Sequence, residues 1–433
     1  MFHTILTHES PDLDAMMSVL LMQRFGEEKF PGVSTAKLQF ASANKLPEGK
    51  SPQELEDDGI LALDIGGGRF DTHPVGTELK ESKRERSATD LIAEELGVIY
   101  DETWAPLVEY TRLQDTQGYS LSSKEYIHHL ISIHTILLGL EIMYRGDSEG
   151  KLKAGLKVLE NIPVYVANRE KNFNYQELLM QMIDRFTFEN EPDPEIPSQT
   201  YDNFNKWYQR LQYKPKDAFA TAELDDLVSL KAIAIGAFYN HDKDREKVYE
   251  VISLCLKAIF SREEQWARAL KEFKEKANSK KINKAMVTYI TSENGMVIKA
   301  SRYKGKGDLI IYREPLTGAT SILRKQKGPL ERFPMQELAA KVRLSECVET
   351  GEQPEYEKLE AEGTIHGWFL HQSGNLLIKG SPKATDFIPS KIPIEALAKI
   401  AYYQLSDSFT FPSQYGLAYM EYQRWQLQQR FKK

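Results

Sequence analysis

The stretch Phe2-His3-Thr4-Ile5-Leu6-Thr7-His8-Glu9-Ser10-Pro11-Asp12-Leu13-Asp14-Ala15 decides how the chain is read. Residues 2–7 are mostly apolar or β-branched, which suits a strand, and Ser10-Pro11 interrupts it. The apolar run to Phe25 that follows Asp12 and Asp14 reads as a helix over 14–25. A short loop from the carboxyl end of a strand into a helix is where open α/β sheets place ligands. Here that loop carries one imidazole, His8, and two carboxylates, Asp12 and Asp14, a mixed nitrogen and oxygen set that suits a divalent cation. Simple capping of the helix by either Asp is the alternative that these residues leave open.

Outward from this stretch the alternation continues. An extended segment is expected near 36–41, a buried strand over 59–65 and a helix over 87–96, which together favour an α/β layered domain with a largely parallel sheet. From residue 122 to about 277 the pattern is mostly helical, with amphipathic spacing over 227–239 and 248–260, and the Pro-rich segment 190–199 reads as a break between helical groups. The stretch 126–144 reads as one helix, because three His and a Glu make it a poor lipid-facing span. Past the basic run 274–284, segments 286–292, 296–303, 308–314 and 319–323 look like successive strands separated by Gly-containing turns. The expected organisation is an α/β metal-binding core over 1–120, a helical completion and linker over 121–284, and a smaller β-rich α+β domain for substrate over 285–433. No internal repeat is apparent.

A length of 433 residues predicts two or three domains, and 41% hydrophobic with 27% charged residues excludes disordered and collagenous classes. Cys255 and Cys347 have no CxxC spacing, which argues against a disulfide framework and a thiolate cluster and fits a reducing cytoplasm. Neither a secretory signal nor a membrane span is expected. The net charge of −7 is uneven: residues 1–120 hold 11 Lys/Arg against 22 Asp/Glu, whereas 299–332 hold 9 against 3. In the basic stretch, Arg302, Lys304, Lys306, Arg313, Arg324, Lys325 and Lys327 with Tyr303 or Tyr312 suit a phosphate backbone and a stacked base, although charge runs are usually solvated faces.

Three further clusters share the acidic part. Leu61-Ala62-Leu63-Asp64-Ile65-Gly66-Gly67-Gly68 ends an apolar strand in an acid, which is costly to bury unless a cation or donors meet it, so Asp64 is a candidate ligand. The glycines allow close approach of backbone to a ligand, or form a plain turn; no helix opens directly behind them, which sets aside a dinucleotide fingerprint. Arg69-Phe70-Asp71-Thr72-His73-Pro74 and Arg112-Leu113-Gln114-Asp115-Thr116-Gln117-Gly118 each place an acid or imidazole in an expected loop. Together the clusters supply His8, Asp12, Asp14, Asp64, His73 and Asp115, which would repel one another in one cleft unless cations neutralised them. His128, His129 and His134 are better explained by helix packing, and His3 reads as structural.

In order and spacing, the His-x-x-Pro-Asp-x-Asp-Ala stretch, the strand-end Asp, Asp-x-His and Asp-Thr-x-Gly resemble the four motifs of the DHH phosphoesterase superfamily. That superfamily includes RecJ-type exonucleases, nanoRNases, cyclic-dinucleotide phosphodiesterases and family II pyrophosphatases. A finer resemblance is to its melanocyte-proliferating-gene (Myg-like) branch. It rests on Leu63-Asp64-Ile65-Gly66-Gly67 leading to Asp71-Thr72-His73, on Ser87-Ala88-Thr89, and on Gly367-Trp368-Phe369-Leu370-His371-Gln372-Ser373-Gly374 with Ile378-Lys379-Gly380.

The resemblance implies a parallel-sheet catalytic domain and a divalent-metal-dependent phosphodiesterase, a 3′ to 5′ exonuclease on single-stranded RNA or short oligonucleotides. By matched position, His8 and Asp12 would hold one Mn²⁺, Asp14 and Asp115 a second, and Asp64 would bridge them and activate the attacking hydroxide; Mg²⁺ is the other ion such ligands suit. Asp71 and His73 would join Asp64 in catalysis. His73, Ser87, His371, Ser373, Gly374 and Lys379 would contact substrate, with His371 as an ordinary surface residue the plainer alternative. Thr72 stands where the family has a metal-binding His, which weakens the expected second metal. Two alternatives follow: a hydrolase of a small phosphorylated molecule such as a cyclic dinucleotide or pyrophosphate, and a catalytically impaired protein that binds nucleic acid or a partner. A homodimer built on the helical region is a further expectation.

Overall fold

The structure, a computed structural model, describes residues 1–42, 46–72, 85–118, 121–190, 198–371, 373–380 and 387–431. Strand β1 (Thr4–His8) is buried at all five positions. It is the central strand of a three-stranded parallel sheet, flanked by β2 (Lys37–Ala41) and β3 (Ile60–Ala62), with Thr4 opposite Lys37 and Ile60. Side chains alternate across a strand, so both faces of β1 need cover. Ile5 joins Leu61, Met16, Met17 and Leu21 on the face of α1 (Leu13–Phe25). Leu6 joins Ala62, Ile65 and Leu55 on the face of α2 (Pro52–Asp57). Helices α3 (Ala88–Glu95) and α4 (Ala105–Gln117) complete this layer against α1.

The chain divides into two compact units, residues 1–264 and 265–433. In the first, the core around β1 and α1 continues without interruption into the helical stretch as far as Ile259. The helices are α5 (Tyr126–Leu130), α6 (Ile133–Met143), α7 (Ser148–Leu159), α8 (Asn161–Asn168), α9 (Tyr175–Glu189), α10 (Ser198–Tyr213), α11 (Glu223–Leu227), α12 (Leu230–Asn240) and α13 (Arg245–Lys276), whose part from residue 265 onward belongs to the second unit. The expected single helix over 126–144 is two, because Ser132 caps α6 by accepting from Thr135 N–H and so breaks the run. No described helix is long and apolar enough to cross a membrane.

The expectation of no internal repeat is corrected. Leu130-Ile131-Ser132-Ile133 and Leu227-Val228-Ser229-Leu230 both bend a short helix into a longer one at a capping Ser, and Ser132 pairs with Ser229 in an antiparallel bridge. Gly139 and Gly236, and the helix-capping Asp147 and Asp244, keep the same spacing of 97 positions as that Ser pair. The correspondence escapes composition-level inspection because it is carried by a few caps and close contacts.

The second unit holds a seven-stranded, mostly antiparallel sheet: β4 (Asn278–Ile282), β5 (Ala285–Thr291), β6 (Leu309–Arg313), β7 (Thr320–Arg324), β8 (Gly363–Ile365), β9 (Trp368–Leu370) and β10 (Leu376–Lys379), in the order 4-5-6-7-10-9-8. The segment expected as a strand over 296–303 is instead helix α14 (Val297–Tyr303). β5 and β6 are parallel, and parallel neighbours need a crossover rather than a hairpin. Asn294, read as a hairpin turn residue, starts the crossover by accepting from Met296 N–H. Helices α15 (Met335–Thr350) and α16 (Ile394–Leu405) share a core with the sheet, and α17 (Gly416–Phe431) follows. The fold is thus mixed α/β, with a parallel sheet in one unit and a largely antiparallel sheet in the other.

Candidate metal centre

Three side chains from the carboxyl end of the parallel sheet meet in the first unit. His8 closes β1 and is 1% exposed; its Nε2 lies 3.3 Å from Asp64 Oδ2 and 3.8 Å from Asp12 Oδ1. A ring nitrogen and one oxygen from each carboxylate all lie within 4.8 Å of one another. The capping reading of Asp12 holds, since its Oδ1 accepts from Ala15 N–H at 3.2 Å, and the same oxygen also faces His8. His8 and Asp64 are buried whereas Asp12 is about one-third exposed, so the group opens to solvent on one side.

Asp64 sits just past β3 with φ of +56°, a left-handed conformation that Asp tolerates better than most residues. Leu63 N–H still donates to Leu6 O, and Asp64 N–H turns to donate to Phe70 O at 2.9 Å. Gly66 and Gly67 follow with φ of +75° and +71°, and Gly67 N–H donates to Asp71 Oδ2 at 2.6 Å. The glycines therefore form a turn that Asp71 fastens; in these contacts Asp71 acts as a structural acceptor.

Asp14 lies in the first turn of α1 and is 2% exposed. Its two carboxylate oxygens accept from Ala88 N–H and Thr89 N–H, both at 2.8 Å, at the amino end of α3. Burial, followed by the negative charges of Asp64 and Asp115, pushes its carboxyl well above the usual range, against the lowering bond from Thr89. Asp115 lies near the carboxyl end of α4, not in the loop expected, because Gly118 with φ of +61° ends that helix only at Gln117. Asp12, Asp14, Asp64 and Asp115 thus interact electrostatically, although only Asp12 and Asp64 belong to the tight group with His8. Crowded carboxylates beside a buried imidazole are a donor set that a hard or borderline divalent cation fits.

The other candidate residues have the following places. Ser87 is fully buried; its hydroxyl accepts from Asp90 N–H and its N–H donates to Asp90, a capping box that fixes α3. His73 lies outside the described residues. In the second unit, Lys379 is buried and paired with Glu346 at 3.0 Å. His371, Ser373 and Gly374 share the β9–β10 turn: His371 Nδ1 lies 2.8 Å from Ser373 Oγ, Gly374 N–H donates to His371 O, and burial lowers the imidazole pKa.

The basic stretch separates into two kinds of residue. Lys304, Lys306, Lys325 and Lys327 are exposed, as is Tyr303. Arg313 donates to Thr320 Oγ1 and Ile392 O, Arg324 donates to Asn375 Oδ1 and Leu330 O, and Tyr312 is buried with its hydroxyl donating to Ser292 O. Tyr312 is therefore core, which corrects its candidacy as a stacking residue. The three His of the helical region are also engaged: His128 with Ser123 Oγ and Asp217 O, His129 with Ser123 O, and His134 with Gln114.

Lys151 is the residue that motif reasoning misses. It is 5% exposed, lies 3.6 Å from Glu141, and its Nζ donates to Ser10 Oγ at 3.2 Å, holding the loop between His8 and Asp12. The adjacent Ser148 donates to Glu9 O. A periodicity signal was present, since Lys151 falls on the face of α7 that Ala154, Gly155 and Val158 make apolar. No protein-family model matches the chain, and no curated protein matches it.

Proposed function

We propose that the chain is a divalent-cation-dependent phosphodiesterase acting on the ends of single-stranded RNA or short oligonucleotides. The observation that carries this reading is the buried His8–Asp12–Asp64 group at the carboxyl end of a parallel sheet, with Asp14 and Asp115 within electrostatic range. His8, Asp12 and Asp64 would hold the first cation, and one nitrogen among oxygens favours Mn²⁺ or Mg²⁺. A cation there supplies an activated water and neutralises charge that develops on phosphate. The chain's own groups do the rest. Asp14, fastened to the amino end of α3, sets the charge of the pocket; Lys151 positions the ligand loop through Ser10; and exposed lysines of the second unit suit a phosphate backbone. Incubating end-labelled single-stranded RNA with Mn²⁺ tests the reading: stepwise release of mononucleotides from the 3′ end is expected, and Asp64→Asn should lose it. Hydrolysis of only cyclic dinucleotide or pyrophosphate would move the assignment to small phosphorylated molecules.

A second reading has its own support. Thr72 replaces the family's ligand His, and both oxygens of Asp14 already accept backbone hydrogen bonds. Such a site favours one firm cation over two, and slow or absent turnover with retained RNA binding is its expected result.

A further inference from the structure

A second set of donor atoms converges within the second unit. Cys347 lies in the last turn of α15; Gly351, with φ of +76°, ends that helix by donating to Cys347 O, and Glu352 follows. His366 and Gly367 form the two-residue turn between β8 and β9, with φ of +49° and +75°. Paired left-handed residues define a type I′ hairpin, which Asn-Gly occupies most readily. An imidazole is thus an uncommon choice for that backbone, and it brings the ring, 8% exposed, beside the end of α15: His366 Nδ1 is 2.9 Å from Glu352 Oε2. The Cys347 sulfur, a His366 nitrogen and a Glu352 oxygen all lie within 4.8 Å of one another.

The Lys379 ammonium lies nearby, donating to His366 O at 3.4 Å, but its charge is balanced by Glu346 at 3.0 Å, which leaves the donor set its own negative charge. Glu346, the nearest other acid in the sequence, is committed elsewhere, accepting from Trp368 Nε1 and Ser390 Oγ and pairing with Lys379. The carboxyl end of a helix favours positive charge. Glu352 is half exposed and provides a path from solvent. Zinc bonds of about 2.3 Å to sulfur and about 2.0–2.2 Å to nitrogen and oxygen need these donors to close in by only a fraction of their present spread, and the Glu352 carboxylate, exposed at its outer side, can turn toward the ion from its contact with His366.

We propose that Cys347, Glu352 and His366 form a zinc site whose fourth position is open to water. Sulfur among the donors selects Zn²⁺ over the harder ions that suit His8, Asp12 and Asp64. On binding, the thiol gives up one proton to solvent as its sulfur bonds the ion, while the imidazole, whose Nε2 accepts from Glu355 N–H and whose Nδ1 faces Glu352, exchanges one of these contacts for the ion and keeps its single proton. Burial, then the charges of Glu352 and Glu346, holds the free thiol up at about 12, so in the absence of an ion this cysteine is protonated and inert.

The test is titration of the full chain with Cd²⁺, followed by the ultraviolet thiolate-to-metal charge-transfer band, which a site made of His and Asp cannot produce. One equivalent should saturate the band, and Zn²⁺ should compete it away. Cys347→Ser should abolish the band, whereas Cys255→Ser and Asp64→Asn should leave it unchanged. His366→Asn suits the I′ turn and Glu352→Gln alters an exposed side chain, so both variants should fold; each should weaken binding by at least about 10-fold. Absence of a band, its survival in Cys347→Ser, or parental affinity in both His366→Asn and Glu352→Gln would overturn the proposal.

Discussion

Replacing Asp64 by Asn keeps the shape of a buried side chain, tolerates the same left-handed backbone and removes one negative charge from the candidate centre. Asp64 is the charge that most raises the Asp14 carboxyl after burial itself. Removing it relieves that repulsion, so the metal-free protein should be no less stable. The response to metal should change in the opposite sense. At a Mn²⁺ concentration about 100 times Kd, binding stabilises the folded state by about 2.7 kcal/mol. For a unit of 264 residues, each kcal/mol shifts Tm by roughly 2–4 °C, so its transition should rise by about 5–10 °C. If Asp64→Asn weakens binding about 100-fold, the same concentration stabilises by only about 0.4 kcal/mol, a shift near 1 °C. Differential scanning calorimetry with and without Mn²⁺ at neutral pH measures both effects. A parent protein indifferent to Mn²⁺, or a variant that keeps the full shift, would refute the assignment of this centre as a cation site.

Lys151→Met should leave stability within about 1 kcal/mol, since Met fills the apolar face of α7, yet weaken Mn²⁺ binding by about 10- to 100-fold through the freed Ser10 loop; isothermal titration reads this. Changing Lys304, Lys306, Lys325 and Lys327 together to Ala should flatten the salt dependence of single-stranded RNA binding by up to about 3 in log–log slope, at about 0.7 per phosphate contact, whereas an unchanged slope would remove these lysines from the RNA surface. In the second unit, burial raises the Glu346 carboxyl, but bonds from Ser390 and Trp368 and the Lys379 charge outweigh it and hold the carboxyl below its ordinary value. The sign follows: this group's contribution is complete above pH 4.5 and disappears as pH falls through the lowered value. Lys379→Met should destabilise the unit by about 3–5 kcal/mol at neutral pH, measured by urea denaturation, by leaving a buried carboxylate without its partner.

What could be read in advance differs by the kind of signal. β1 and α1 were legible because an apolar run, Pro11 and a capping Asp12 all act locally. The grouping of His8 with Asp12 and Asp64 followed, since strand ends of a parallel sheet share one edge. Signals that depend on distant partners were harder. Asn294-Gly295 has the composition of a hairpin turn, and only the parallel pairing of β5 with β6 shows that a helix must follow. Ser132 lies inside an apolar run whose periodicity hides the cap, and Asp115 is helical because Gly118 lies further along than a loop there would need. Lys151 reaches a loop whose nearest contact, Ser10, is 141 positions away, a distance no motif spacing encodes.

The paired bends at Ser132 and Ser229 carry a further consequence. A β-carbon on Gly139 would sit 1.9 Å from Ala258 O, and one on Gly236 would sit 1.9 Å from Asn161 O, backbone contacts that no side-chain motion relieves. Gly139→Ala and Gly236→Ala should therefore each destabilise the first unit by about 1–3 kcal/mol, as read by calorimetry. Copied architecture brings copied fragility: the helical region meets the same steric limit at two addresses, and a random substitution has two chances to strike it.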